Sequence, residues 1–243
     1  MMGDNMDNTL QTISEKAEIL IDALPYIRDF NQKIIVLEYG LSDVLEKEQE
    51  YLVMKDIALL KTVGMKPIVV HGTKKGADIF RENKRMANLI EQFGIKAIGV
   101  CGIDLQTIHM MLDHDYIPVI TPNDINNEQE NINPEATACE IAEKIQAEKL
   151  MFLTRQAGVF DGDHVIPLLT LSDLEQRLTE GDISDHMKRK LAKGVHAIEQ
   201  GVGRVHFVDG RTEHGILLEL FSAKGIGTVL LKDKNHLYEH EQW

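Results

Sequence analysis

The chain has 243 residues, 43% of them hydrophobic and 5% aromatic, enough for one large domain or two lobes on a shared sheet, with a core of Ile, Leu, Val, Ala and Met. Its 39 acidic against 26 basic residues leave a net charge of −13, which argues against nonspecific binding to nucleic acid or an anionic membrane, where counterion release needs basic surface. No run is long and apolar enough to span a bilayer, the polar start MMGDNMDNTLQ is not a signal peptide, and Cys101 and Cys139 read as reduced thiols of a cytoplasmic protein. The ten histidines are scattered, and no metal set is expected.

Residues 1–11 are expected to be a disordered tail. Over 12–31, Ile13, Ala17, Leu20, Ile21, Leu24 and Ile27 recur at helical spacing, with Pro25 expected to kink or break the helix. Such a helix packs on its own domain or reaches a second subunit. Strands are expected at 33–38, 67–71, 96–101, 117–120, 149–153, 204–209 and 227–231. Helices are expected at 46–64, 74–93, 104–114, 134–147, 171–179, 186–201 and 211–223. Short apolar strands alternating with amphipathic helices predict an α/β fold with a mainly parallel, two-sided sheet. VFDGDHVI, 159–166, reads as a hairpin turning on Asp-Gly. PNDINNEQENINPE, 122–135, is a polar loop that marks a boundary between an N-terminal lobe, 32–147, and a C-terminal lobe, 148–243.

Several segments have the form of anion sites. In KIIVLEYGLSD a buried strand breaks at Gly40, as a phosphate-binding loop does, yet Glu38 stands at its mouth. In PIVVHGTKKGADIF a strand ends in His71-Gly72 ahead of Lys74, Lys75 and a helix start. An ordinary strand-to-helix turn with solvated lysines accounts for this equally well. Asn131 and Asn133 precede a helix with Pro134 in its first turn; capping is the default reading, and ligand binding the alternative. Lys188, Arg189, Lys190 and Lys193 form a basic cluster near a helix start, or a solvated face. Gly225 reads as a helix C-cap.

Taken in order, ALPYIRDFNQKIIVLEYG, DIALLKTVGMKPIVVHG, DYIPVITP with NINPEATACEIAEKIQAEKLMFLT, and RVHFVDGRTEHGILLELFSAKGIGTVL resemble the acetylglutamate kinase family. The resemblance implies the amino-acid kinase fold, a three-layer αβα sandwich with an extra N-terminal helix. It implies transfer of the ATP γ-phosphoryl group to a carboxylate, with Mg, only where the catalytic parts are kept. Several depart. The family's Lys-Tyr-Gly-Gly is here Glu38-Tyr39-Gly40-Leu41, so the phosphate-stabilising lysine is lost. The glycine-rich second loop is His71-Gly72-Thr73-Lys74-Lys75. Asn-x-Asn-Ala-Asp has become Asn131-Ile132-Asn133-Pro134-Glu135, with Glu135 in place of the aspartate that organises the catalytic lysines. Thr-Asp is Thr154-Arg155, and Gly-Gly-Met is Asp185-His186-Met187, ahead of Lys188. Lys190 falls where the second catalytic lysine stands. The segment that carries the substrate-gripping arginine and a lid is missing.

Unit charges about 4 Å apart interact by roughly 4 kcal/mol at an effective dielectric near 20, so an anion in place of a cation beside a phosphate costs roughly 8 kcal/mol before relaxation. A pseudo-kinase is therefore expected, with an active acetylglutamate or related acyl-amino-acid kinase as the alternative. The resemblance also implies what is kept. Arginine-inhibited members are hexamers joined through the N-terminal helix, and their arginine site maps here onto Tyr26, Lys193, His214, Glu219, Gly225 and Gly227, followed by Thr228. These residues serve either arginine binding or the integrity of the C-terminal lobe. Expected partners are thus L-arginine, a second copy in a dimer or hexamer, and an active kinase in a hetero-oligomer.

Overall fold

The computed structural model describes residues 18, 20–40, 45–72, 78–122, 133–174, 183–239 and 241. The expected tail, the first turns of the N-terminal helix, Leu41, the Thr73–Gly76 stretch and Asn131 lie outside them.

The elements alternate as expected. A helix over 20–30 (α1) leads into β1 (Ile34–Tyr39), α2 (Lys47–Thr62), β2 (Lys66–His71), α3 (Ile79–Glu91), β3 (Ala97–Cys101), α4 (Leu105–Asp113) and β4 (Ile117–Thr121). Then come α5 (Pro134–Lys144), β5 (Lys149–Thr154), a hairpin of β6 (Phe160–Asp161) and β7 (His164–Val165), and β8 (Leu168–Thr170). A helix over 171–174 (α6), α7 (Asp185–Glu199), β9 (Arg204–Asp209), α8 (Gly215–Leu220) and β10 (Thr228–Leu231) complete the order.

Eight strands form one sheet in the order β3-β4-β2-β1-β5-β9-β10-β8. Every neighbouring pair is parallel except β9 with β10. Because strand side chains alternate between faces, β1 sends Val36 and Glu38 one way and Leu37 and Tyr39 the other. Val36 and Phe152 pack under α4, α5 and α7, while Leu37, Met151 and Leu153 pack under α1, α2, α3 and α8. Both faces are covered, so the central strands are apolar throughout, as parallel sheets require. The fold is the three-layer sandwich expected.

Local chemistry sets the helix starts. The side chains of Asp78, Asp104, Asn133 and Ser184 accept hydrogen bonds from first-turn amides of α3, α4, α5 and α7.

Three expectations are corrected. Pro25 does not end α1, which is helical from 20 to 30. Tyr26 and Phe30, one turn apart and 8% and 2% exposed, pin it to the sheet across the missing donor. The expected helix at 211–223 shrinks to Gly215–Leu220, because His214 sits in the left-handed region at φ 55° and forces a turn before it. Strand β8 was not expected; three residues carry too little period-2 signal, and its pairing with β10 gives it its identity.

Candidate functional site

β1, β2, β4, β5 and β9 are parallel and end together, with Tyr39 beside His71 and Leu153, and Thr154 beside Asp209. Open α/β sheets bind ligands outside these carboxyl ends. At that edge the face carrying Glu38 meets the starts of α5 and α7.

Four charged side chains alternate there. The Lys190 ammonium is 2.5 Å from Glu135 and 3.5 Å from Glu38, and Lys193 is 2.5 Å from the other oxygen of Glu135. Lys190 also stands 5.0 Å above the Phe152 ring. Glu38 is 1% exposed and Lys190 4%. Burial pushes the Glu38 carboxyl up to about 7, against the pull of Lys190 and with a further push from Glu135. Burial acts the same way on Glu135, but Lys190 and Lys193 together outweigh it and hold that carboxyl below the usual range.

The chain's own side chains approach two glycines of this edge, exposed Gly40 and half-buried Gly72. A Cβ on Gly40 would lie 2.6 Å from a Glu38 carboxylate oxygen, and one on Gly72 would lie 3.3 Å from the Pro134 ring. Each of these neighbours, Glu38 and Pro134, is a residue at which this sequence departs from its family resemblance. His71 is fully buried, with Nε2 3.2 Å from Asn83 Oδ1 and Nδ1 3.0 Å from the Gly72 carbonyl. Burial lowers its pKa, against the pull of these two acceptors. The Thr154 hydroxyl closes a local turn on Gln156. The Asn133 side chain accepts from the Glu135 amide at 2.9 Å, as a cap does. Lys188 is half-buried in the first turn of α7.

A second cleft lies on the opposite face, between α1 and α8. Tyr26, Phe30, Lys149, His206, Glu219 and Gly225 line it, with Glu241 at its margin. The Glu219 carboxylate accepts from the amides of Ile226 and Gly227 at 2.8 Å each and pairs with His206 Nδ1 at 2.7 Å. Burial alone would raise its pKa; these donors lower it. Gly225 has φ +63°, and a Cβ there would meet Glu219 at 2.5 Å; one on Gly227 would meet the Phe207 carbonyl oxygen at 2.3 Å. The turn needs both glycines to wrap the carboxylate. Thr228 ties β10 to the hairpin, accepting from Val159 N and donating to the Ile166 carbonyl.

The structure therefore gathers Glu38, Gly40, His71, Gly72, Asn133, Glu135 and Lys190 at one edge, and Tyr26, Glu219, Gly225 and Gly227 at another. Lys193 joins the first group through Glu135, away from the cleft to which the resemblance assigned it. His214 does not line that cleft either; its Nδ1 is 2.7 Å from buried Asp56. Sequence reasoning missed Arg85, which bridges Glu50 and Glu82 at 2.6 and 2.5 Å under the Tyr39 hydroxyl. It also missed Lys149, Arg204 and His206. The available signal was a charged residue opening each of the apolar runs KLMFLT and RVHFV.

Comparison with known proteins follows this geometry. A model of the amino acid kinase family matches residues 82–209. The chain is 36% identical to the acetylglutamate kinase of Campylobacter jejuni over 278 residues, covering 91% of this chain and 100% of the relative. The chain belongs to the acetylglutamate kinase family. A second family member, from Thermoanaerobacter pseudethanolicus, is 33% identical over 280 residues, covering 90% and 94%. In the Campylobacter match, 91% of 243 residues, about 221, is set against 278 positions, so about 57 positions of that family member have no residue here. The N-acetylglutamate synthase of Neisseria gonorrhoeae, complexed with coenzyme A and N-acetyl-glutamate, superposes at a TM-score of 0.76 and 20% identity, covering 89% of this chain and 63% of that one. The same synthase complexed with coenzyme A and L-arginine gives 0.72. These neighbours establish the amino-acid kinase fold.

Proposed function

We propose that this family member is a pseudo-kinase that binds L-arginine between α1 and α8 and assembles through α1. One observation carries the loss of catalysis: the Glu38 carboxylate lies against Gly40 and engages Lys190. A triphosphate at this edge would meet a buried acid where the family resemblance places a cation. It would also meet a lysine already held by two carboxylates. Pro134 stands beside Gly72 and narrows the second approach. Preorganised positive charge is the main source of catalysis in phosphoryl transfer, and here it is neutralised within the chain. The missing positions fit the loss of the substrate lid, so the residues described at this edge do not fit MgATP.

Arginine binding rests on Tyr26, Glu219, Gly225 and Gly227 meeting in one cleft, where a carboxylate suits a guanidinium. The structural neighbour solved with L-arginine supports the same reading. Assembly rests on α1, whose Leu20, Ile21 and Leu24 are 67%, 61% and 58% exposed. The partner is a second copy or an active kinase of the family.

The second reading is a working acyl-amino-acid kinase. It draws on the identity to acetylglutamate kinases across their full length and on the Lys190–Glu135–Lys193 chain. A thermal-shift screen with MgATP, acetylglutamate and arginine separates the two. Ligand at a hundred times its Kd stabilises by about 2.7 kcal/mol. Arginine alone is expected to raise Tm. ADP release that depends on acetylglutamate and is abolished by Lys190→Ala would overturn the pseudo-kinase reading.

A further inference from the structure

The C-terminal segment forms a strap beside the α1–α8 cleft. A turn of 3-10 helix, Lys234–His236, leads to Tyr238 and Glu241. Arg204 of β9 makes three contacts to it. The buried Arg204 guanidinium pairs with Glu241 at 2.6 Å, donates to the His236 carbonyl at 2.7 Å and lies 3.7 Å from the centre of the Tyr238 ring. All three partners belong to the strap. Glu241 also accepts from the Tyr238 amide at 2.8 Å, and the Tyr238 hydroxyl donates to Glu148 at 2.5 Å.

What lies beneath is polar and under-used. Lys149 is 1% exposed, and its ammonium is sandwiched between the rings of Phe30 at 4.1 Å and Tyr238 at 4.8 Å. Among the described residues no carboxylate reaches it within ion-pair distance, and the Tyr238 hydroxyl is 3.5 Å away. Among the described residues His206, 4% exposed, has no hydrogen-bond partner at Nε2, and Arg204 has none at Nε. Buried polar atoms are rarely left without partners. The cavity that Lys149 and His206 share with Glu219 is about 10 Å³, room for one water and far less than an amino acid needs.

We propose that the strap is a gate: docked on Arg204 it shuts the cleft over Lys149 and His206, and a ligand enters only when it lifts. The gate regulates the arginine site inferred above and rests on that reading only for the identity of the ligand. Arg204 is the latch, since it holds the strap through three contacts and is not itself a residue of the cleft wall. Release of the strap uncovers a cation, an unpartnered imidazole nitrogen and the Glu219 carboxylate side by side, a set that suits a small zwitterion. It also withdraws Tyr238 from Phe30, whose rings lie 5.4 Å apart, so the gate is joined to the helix proposed to carry assembly.

Amine acetylation read by mass spectrometry tests this without any ligand. Exposed Lys232 serves as the internal standard. In the full chain Lys149 should resist acetic anhydride, and Glu241→Gln and Arg204→Gln should each raise its labelling at least tenfold relative to Lys232. Circular dichroism establishes that each variant is folded, and Glu241→Gln, the milder change, decides if Arg204→Gln is not. Labelling of Lys149 that stays at the wild-type level in a folded variant overturns the gate. A second arm adds millimolar L-arginine to the variants. Protection of Lys149 supports arginine as the ligand. Fast labelling with no protection leaves the gate standing and removes arginine from the cleft.

Discussion

The ammonium of Lys190 stands 3.5 Å from the carboxylate of Glu38, which lies 152 residues earlier in the chain. Both are buried, and with Glu135 and Lys193 they form a charge-alternating chain at the carboxyl edge of the parallel strands. Removing one member of a buried pair typically costs about 3–5 kcal/mol, because the other charge is left uncompensated. Lys190→Met is therefore expected to lower stability by about that much at pH 8, and by less at pH 5, where Glu38 can take up a proton. Urea denaturation at the two pH values checks both the size and its pH dependence.

The raised pKa of Glu38 has its own signature. In the folded chain the carboxyl titrates near 7, against an ordinary value of 4.5. Between those pH values the folded state binds more protons than the unfolded one, so stability falls as pH rises from about 4.5 to about 7. The total is about 3 kcal/mol. Glu38→Gln removes this slope while leaving that of Glu135, whose lowered pKa acts in the opposite direction. The stability of Glu38→Gln relative to wild type should thus improve by about 3 kcal/mol across this window. A pH-independent difference would mean that Glu38 stays ionised in the folded chain throughout.

Glu38 approaches Gly40 and Pro134 approaches Gly72, and both side chains can be shortened. Glu38→Ala with Pro134→Ala is expected to bind MgATP at least tenfold more tightly than wild type by calorimetry, since a single unit charge near a phosphate accounts for roughly 4 kcal/mol. Equal affinities would show that something else closes this edge.

Glu219 and Gly225 separate charge from shape in the second cleft. Glu219→Gln keeps the volume and loses the charge; a charge-assisted hydrogen bond contributes about 1.5–3 kcal/mol, so arginine affinity should fall about tenfold or more. Gly225→Ala forces a side chain into the left-handed region, at a cost of about 1–3 kcal/mol in stability, and pushes on the same carboxylate. Calorimetry and thermal melts distinguish the two effects.

The apolar stripe on α1 predicts an assembly that a charge would disrupt. Leu20→Glu with Leu24→Glu should lower the mass measured by light scattering and leave Tm nearly unchanged, because both side chains are exposed within the chain. A wild-type protein that is already monomeric would remove α1 as an assembly element.

The sheet was legible because it rests on periodicity. β9 falls at 204–209 as expected, and the other long strands differ by a residue or so at their ends. Apolar runs bounded by glycine and capping residues specify such elements locally. The site was legible only where the resemblance supplied a position, as for Glu38, Glu135 and Lys190. Lys193 was placed in the wrong company because a helix presents Lys190 and Lys193 one turn apart, on the same side, toward the same glutamate. Arg204 with Glu241, and His214 with Asp56, join segments 37 and 158 residues apart through side-chain geometry that leaves no periodic trace.

On the pseudo-kinase reading proposed above, the pairing at the end of β1 bears on how activity could return. Restoring a lysine at position 38 alone would set three ammonium groups around the single carboxylate of Glu135, inside a dry interior. Restoring an aspartate at 135 alone would leave Glu38 still neutralising Lys190. On that reading neither change alone yields a free, charge-balanced site. The arrangement then acts as a ratchet: a return to activity has to change several positions together.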